Sequence, residues 1–111
     1  FTGLAIDIER RKPILANATG GVSGAGIRPI AVRMVYEAAH AVQIPVVGMG
    51  GITCAEDAVE FLMAGAVAVQ VGTANFTDPY ACPKIIEGLG GWCDAHGVKR
   101  VAELTGALRL S

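Results

Sequence analysis

Two apolar runs, the second broken only by Gln70 and each ending in glycine, constrain this chain more than any other feature. Ile44-Pro45-Val46-Val47-Gly48-Met49 stops at Gly50-Gly51, and Ala66 to Val71 stops at Gly72-Thr73. A strand with one wet face alternates polar and apolar residues, whereas a parallel strand covered on both faces is apolar throughout. Both runs therefore read as parallel strands covered on both sides. Between them, Thr53-Cys54-Ala55-Glu56 has capping-box spacing, Ala58, Phe61 and Leu62 form the apolar stripe of a helix, and Gly65 closes it. Strand, helix, strand is a βα unit with a crossover expected to be right-handed.

The flanks extend the same repeat. Asn17 to Gly26 is too rich in glycine for a regular element, and Pro29 then sits where a first helical turn tolerates it. Ala31, Met34, Val35, Ala38 and Val42 fall on one face of that helix, and Arg33, Glu37 and His40 on the other. Arg33 and Glu37 are spaced for a surface ion pair, and His40 is expected to be solvated. After the second strand, Asp78-Pro79 has the form of an N-cap with proline in the first turn, Gly97 ends the helix, and Val98 to Leu108 suggests a short terminal one. Gly88, Gly90 and Gly91 would each weaken that helix by about 1 kcal/mol. Near the start, Leu4, Ile6 and Ile8 alternate with Ala5, Asp7 and Glu9, and Arg10-Arg11-Lys12-Pro13 separates them from Ile14-Leu15-Ala16. This predicts a half-buried strand in a hairpin with a solvated basic tip.

Composition enters where the argument needs a size and a charge. The 111 residues are 52% hydrophobic and 17% charged, which excludes a disordered chain and a coiled coil. A closed eight-fold barrel needs roughly 250 residues, and an open two-stranded sheet leaves both edges bare. The remaining strands are expected outside this chain, which begins at Phe1 without Met and reads as a fragment of one domain, 1–111. A net charge of −1 provides no field for nucleic acid or an anionic membrane, so any bound anion must be held locally. No apolar run approaches the roughly 20 residues of a membrane span and no signal peptide is recognisable, so a cytoplasmic location is expected. Cys54, Cys82 and Cys93 are an odd set without Cys-x-x-Cys spacing, which predicts reduced, mostly buried thiols and neither a disulfide framework nor a zinc site. Met49 and Met63 are expected in the core, and Trp92 as a helix anchor.

Three glycine loops carry the chemistry. Gly20-Gly21-Val22-Ser23-Gly24, Gly50-Gly51 and Gly72-Thr73 each precede a helix, and the last two follow successive strand ends. In a barrel these loops share one rim, where late βα loops commonly hold phosphate. Glycine permits close approach of the backbone, amide N–H groups supply the positive pole, and Thr73 adds a hydroxyl. Neither a Gly-x-Gly-x-x-Gly fingerprint nor a Gly-x-Ser-x-Gly elbow occurs. On the loops alone, another FMN- or phosphate-binding barrel enzyme and an inactive phosphate-binding half-barrel stay as alternatives.

Ala16-Asn17-Ala18-Thr19-Gly20-Gly21-Val22-Ser23-Gly24, followed by Ile27-Arg28-Pro29-Ile30-Ala31-Val32-Arg33-Met34-Val35, resembles class 1 dihydroorotate dehydrogenase. Ile44 to Ile52 and Ala66 to Phe76 resemble that family's last two barrel strands, and Asp78 to Ile86 resembles its NAD-linked branch, class 1B. The resemblance implies an α/β fold, the C-terminal portion of a TIM (β/α)8 barrel: its last two strands with their helices, plus an N-terminal β-hairpin. It implies an FMN enzyme that oxidises dihydroorotate to orotate in pyrimidine synthesis, with the FMN phosphate held by Gly24, Gly50, Gly51, Gly72 and Thr73. It also implies a homodimer working with a subunit that carries FAD and an iron–sulfur cluster. The family's cysteine base, flavin-contacting lysine and substrate-binding asparagines correspond to nothing in this chain, and none of its three cysteines matches that base. No catalytic residue and no metal ligand is expected here.

Overall fold

The protein is described over residues 1–111 by a computed structural model. At its centre strands β5 (Val47–Met49) and β6 (Ala68–Gln70) pair in parallel, Val47 opposite Ala68, Gly48 opposite Val69 and Met49 opposite Gln70. The connection between them is helix α2 (Ala55–Ala64). Helix α1 (Arg28–Ala41) precedes β5 and helix α4 (Ala81–Ala95) follows β6, so the expected βα order stands.

The main core forms where α1, α2 and α4 meet the sheet. Ala31 and Val35 come from α1, Ala58, Phe61 and Ala64 from α2, and Ile85 from α4, with Ile52 and Ala66 from the connections. Phe61 is fully buried. A Cβ on Gly48 would stand 2.7 Å from its ring, so the β5 backbone lies directly on that aromatic face. A second cluster joins Val59, Leu62, Cys93 and Leu104, and Trp92 packs against it as an anchor. Helix α2 ends at Gly65, φ +129, whose N–H donates to the Leu62 and Phe61 carbonyls. Gly97, φ +67, follows the C-terminus of α4.

The apolar strands are covered on one face only. Val47, Met49 and Val67 are exposed, because within these residues only the helix-facing side of the sheet has a partner. Met34 and Val42 of the α1 stripe are exposed for the same reason, while Ala31 and Val35 are buried. Met49 is therefore not a core residue, whereas Met63 packs against the second cluster.

The N-terminal segment folds back on itself in two short ladders. Strand β1 (Thr2–Leu4) pairs antiparallel with β4 (Thr19–Gly21), and β2 (Ile6–Asp7) with β3 (Lys12–Pro13). The hairpin with a basic tip is present, but its return strands are Lys12–Pro13 and Thr19–Gly21, not Ile14 to Ala16. The glycine-rich stretch, which its sequence predicts to be irregular, is not so throughout: Gly20 and Gly21 pair with Gly3 and Thr2, since a ladder needs backbone groups and not side chains. Leu4, Ile6 and Ile8 are exposed, not half-buried.

Helix starts differ from expectation in two places. Cys54 caps α2 by position and makes no side-chain cap bond, so the Thr53–Glu56 capping box does not form. Instead Asp57 reaches back, its Oδ2 accepting the Thr53 N–H at 2.9 Å and the Thr53 hydroxyl at 2.8 Å. Asp78 closes a short helix, α3 (Ala74–Thr77), which the sequence reading lacked, and α4 begins only at Ala81. Its carboxylate still serves that region, accepting the Tyr80 N–H at 2.9 Å and pairing with Lys84 at 2.7 Å. The expected terminal helix shrinks to one 3-10 turn, Val101–Leu104. No helix is long and apolar enough to cross a membrane.

Candidate functional site

The exits of β5 and β6 and the start of the first helical segment meet around one cleft of about 830 Å³. All five residues expected to hold an anion line it: Gly24, Gly50, Gly51, Gly72 and Thr73. They arrive from three loops separated by more than twenty residues each. The parallel pairing of β5 with β6 brings Gly50-Gly51 beside Gly72-Thr73, and packing of α1 on the sheet brings Gly24 to the same rim. Met49 lines the cleft as well.

The backbone at this rim combines left-handed glycine conformations with N–H groups that the chain leaves unpaired. Gly24, Gly50 and Gly51 have φ of +100, +124 and +74, conformations that L side chains rarely adopt. None of the loop and cap hydrogen bonds is donated by the N–H of Gly24, Gly50, Gly51, Gly72 or Thr73. The Thr73 side chain makes no cap bond. On Gly24 and Gly72 a Cβ would meet nothing within 4 Å, so their backbones stand open to the cleft. Unpaired amides around a concave space are donors for an anion, and the volume falls within the roughly 300–1,000 Å³ of small-molecule sites. The residues present therefore fit the phosphate end of a flavin nucleotide.

Side chains outside the cleft hold its loops. Asn75 Nδ2 donates to the Val71 carbonyl at 2.8 Å, fixing the exit from β6. Arg28 opens α1 and places Nη1 3.1 Å from Asp57 Oδ1, the only buried charged side chain. Burial pushes the Asp57 carboxyl up, but the Thr53 N–H and hydroxyl, then Cys54 and the Arg28 guanidinium, outweigh it and hold it below its ordinary value. Sequence reasoning missed Arg28, Asp57 and Asn75. A carboxylate inside the apolar stripe of α2 was the available signal, but its partner lies twenty-nine positions earlier and no local spacing pairs them.

The remaining expectations sort simply. His40 is exposed and its Nδ1 lies 2.7 Å from the Tyr36 carbonyl, a bond within its own helix. Arg33 and Glu37 pair at 2.9 Å on the surface. The three cysteines are free, but only Cys93 is buried; Cys54 is exposed and Cys82 half-buried. Desolvation pushes the Cys54 thiol above its ordinary value, which disfavours the reactive thiolate.

The dihydroorotate dehydrogenase family profile matches residues 1–92. The Dihydroorotate dehydrogenase B (NAD(+)), catalytic subunit, of Pelobacter propionicus is 57% identical over 108 residues, covering 97% of this chain and 36% of that protein. The protein of the same description from Parabacteroides distasonis is also 57% identical over 108 residues, covering 97% and 35%. That from Halalkalibacterium halodurans is 56% identical over 104 residues, covering 94% and 34%. The chain thus spans about a third of the length of the curated relatives it matches.

Proposed function

The chain belongs to the dihydroorotate dehydrogenase family, and from that premise we propose that residues 1–111 form the C-terminal portion of an FMN-binding (β/α)8 barrel. In this reading β5 and β6 are the last two barrel strands, and the uncovered face carrying Val47 and Met49 looks into the barrel. The full-length protein oxidises dihydroorotate to orotate. FMN, when bound, supplies the acceptor for the hydride that leaves the substrate.

The task of this segment is anchoring. The N–H groups of Gly24, Gly50, Gly51, Gly72 and Thr73 surround the FMN phosphate, and the Thr73 hydroxyl donates one more hydrogen bond. Backbone donors neutralise the phosphate without a lysine, which suits a rim whose cleft-lining residues include no Lys or Arg. The observation that carries the reading is the convergence of those five residues, with their amides unpaired, on one cleft. The base that removes the substrate proton comes from outside this segment.

The relatives' description as NAD(+)-linked catalytic subunits supports a partner subunit for electron transfer. We place the full-length protein in class 1B, as a homodimer with an FAD and iron–sulfur subunit that delivers electrons to NAD. The full-length protein should purify yellow and oxidise dihydroorotate, whereas residues 1–111 alone should give no turnover. Turnover by the isolated 111 residues would overturn the division of labour, and fumarate reduction at full rate without a partner subunit would overturn the class 1B assignment.

A further inference from the structure

A charge cluster around the buried Asp57 carboxylate lies beside the Gly20–Gly24 loop, and anion binding by backbone amides does not itself require it. Asp57 is 5% exposed and binds three donors: the Thr53 N–H, the Thr53 hydroxyl and Arg28 Nη1. Thr53 is two residues beyond Gly51, and Arg28 is four beyond Gly24. The two loops also touch directly: a Cβ on Gly51 would stand 2.8 Å from the Gly24 carbonyl oxygen and 3.0 Å from the Arg28 N. One carboxylate thus ties the segment leaving Gly51 to the helix that begins after Gly24.

Neither Arg28 nor Asp57 lines the cleft. Arg28 is committed elsewhere, with Nη1 on Asp57 and Nε 3.6 Å from Glu60 Oε1. That Nε is buried and lacks a hydrogen bond, a cost that apolar packing at this position would avoid. Buried ion pairs seldom stabilise more than apolar side chains of the same volume, and their best-attested use is to fix one arrangement among several. A lone carboxylate here would also repel an anion in the cleft, and Arg28 cancels that charge locally.

We propose that Arg28 and Asp57 are positioning residues for the anion site, setting the Gly50-Gly51 amides in register with Gly24 through Thr53. The proposal rests on the reading of the cleft as a phosphate site. It differs from a general stabilising role in what it does to ligands, because only the phosphate depends on that register. The isoalloxazine and ribityl parts, shared by riboflavin and FMN, do not.

The test uses the full-length protein stripped of flavin and titrated separately with FMN and riboflavin, following flavin fluorescence. Asp57→Asn and Arg28→Met should each raise the FMN dissociation constant about tenfold while moving riboflavin less than about twofold. Arg28→Lys keeps the charge but not the planar fork. It guards against a folding failure of the stronger variants and should fall between them and the unmodified protein. Arg33→Met, which breaks the exposed pair on the same helix, should change neither ligand. Gly72→Val tests the underlying reading independently. If Gly72→Val leaves FMN affinity unchanged, the phosphate site itself is wrong and the proposal goes with it. If Gly72→Val weakens FMN selectively while Arg28→Lys and Asp57→Asn keep the normal FMN-to-riboflavin ratio, or weaken both ligands equally, the site stands and the positioning role is overturned.

Discussion

The two glycine loops at the strand ends look alike in sequence and are physically different. Gly50 and Gly51 sit in left-handed conformations, and a Cβ on either would press within 3 Å of α1 or the Gly24 carbonyl. Gly72 has neither constraint: its φ lies outside the left-handed region and a Cβ would meet nothing within 4 Å. The first loop needs glycine to fold at all, whereas the second needs it only for whatever approaches from the cleft. A shared signal therefore has two causes, one internal to the chain and one external, and substitution can separate them.

The largest effect is expected at Gly51. Valine there must adopt a strained backbone, about 1–3 kcal/mol, and displace the start of α1, roughly another 1–3 kcal/mol. Gly51→Val in the full-length protein should lower the thermal midpoint and abolish FMN binding together. Gly72→Val should break that coupling, leaving the thermal midpoint of the flavin-free protein nearly unchanged while FMN affinity falls about tenfold or more. If both variants lost stability equally, the contrast between the loops would be wrong.

The first loop should also respond to acid where the second does not. Asp57 has a folded-state pKa below the usual 3.8. A lowered carboxylate pKa contributes stability that is fully present above the unfolded value, and that stability is lost as pH falls through the folded one. The unmodified full-length protein should therefore lose stability below about pH 4 more steeply than Asp57→Asn, as followed by urea midpoints across that range. Identical acid limbs would show that Asp57 contributes no linkage. Asp78, also lowered by Lys84 and the Tyr80 N–H, is common to both proteins and cancels in the comparison.

How far the sequence could be read follows the same division between local and distant causes. The parallel pair, α2 between its strands and the Gly65 stop were legible because hydrophobic period and helix termination are written within ten or so residues. The meeting of Gly24, Gly50, Gly51, Gly72 and Thr73 at one cleft was legible because each glycine loop follows or precedes a recognisable element. The Arg28–Asp57 pair was not, since it depends on how α1 lies against α2. The start of α4 falls two residues later than Asp78-Pro79 predicts, with Tyr80 as its N-cap, because Asp-Pro serves equally well where one helix ends before another begins. Covered strands were expected and one-sided strands observed, because an apolar run does not record which of its faces meets a helix within these 111 residues.

The smallest predicted effect separates the hydroxyl from the amide at one residue of the open loop. Thr73 occupies the N-cap of α3 with helical φ and ψ, −53° and −37°, and its side chain caps nothing. Replacing it with valine keeps the volume and the β-branch, so the loop conformation and the Thr73 N–H should persist. Only the hydroxyl is lost, at roughly 0.5–1.5 kcal/mol for one hydrogen bond, or about two- to tenfold in FMN affinity. Riboflavin affinity should not move, because the hydroxyl is assigned to the phosphate. Calorimetric titration of both ligands into the flavin-free full-length protein resolves a change of that size. A Thr73→Val protein that bound FMN as tightly as the unmodified one would reduce this loop to a purely backbone contribution, while Gly72→Val would still report on the approach of the phosphate.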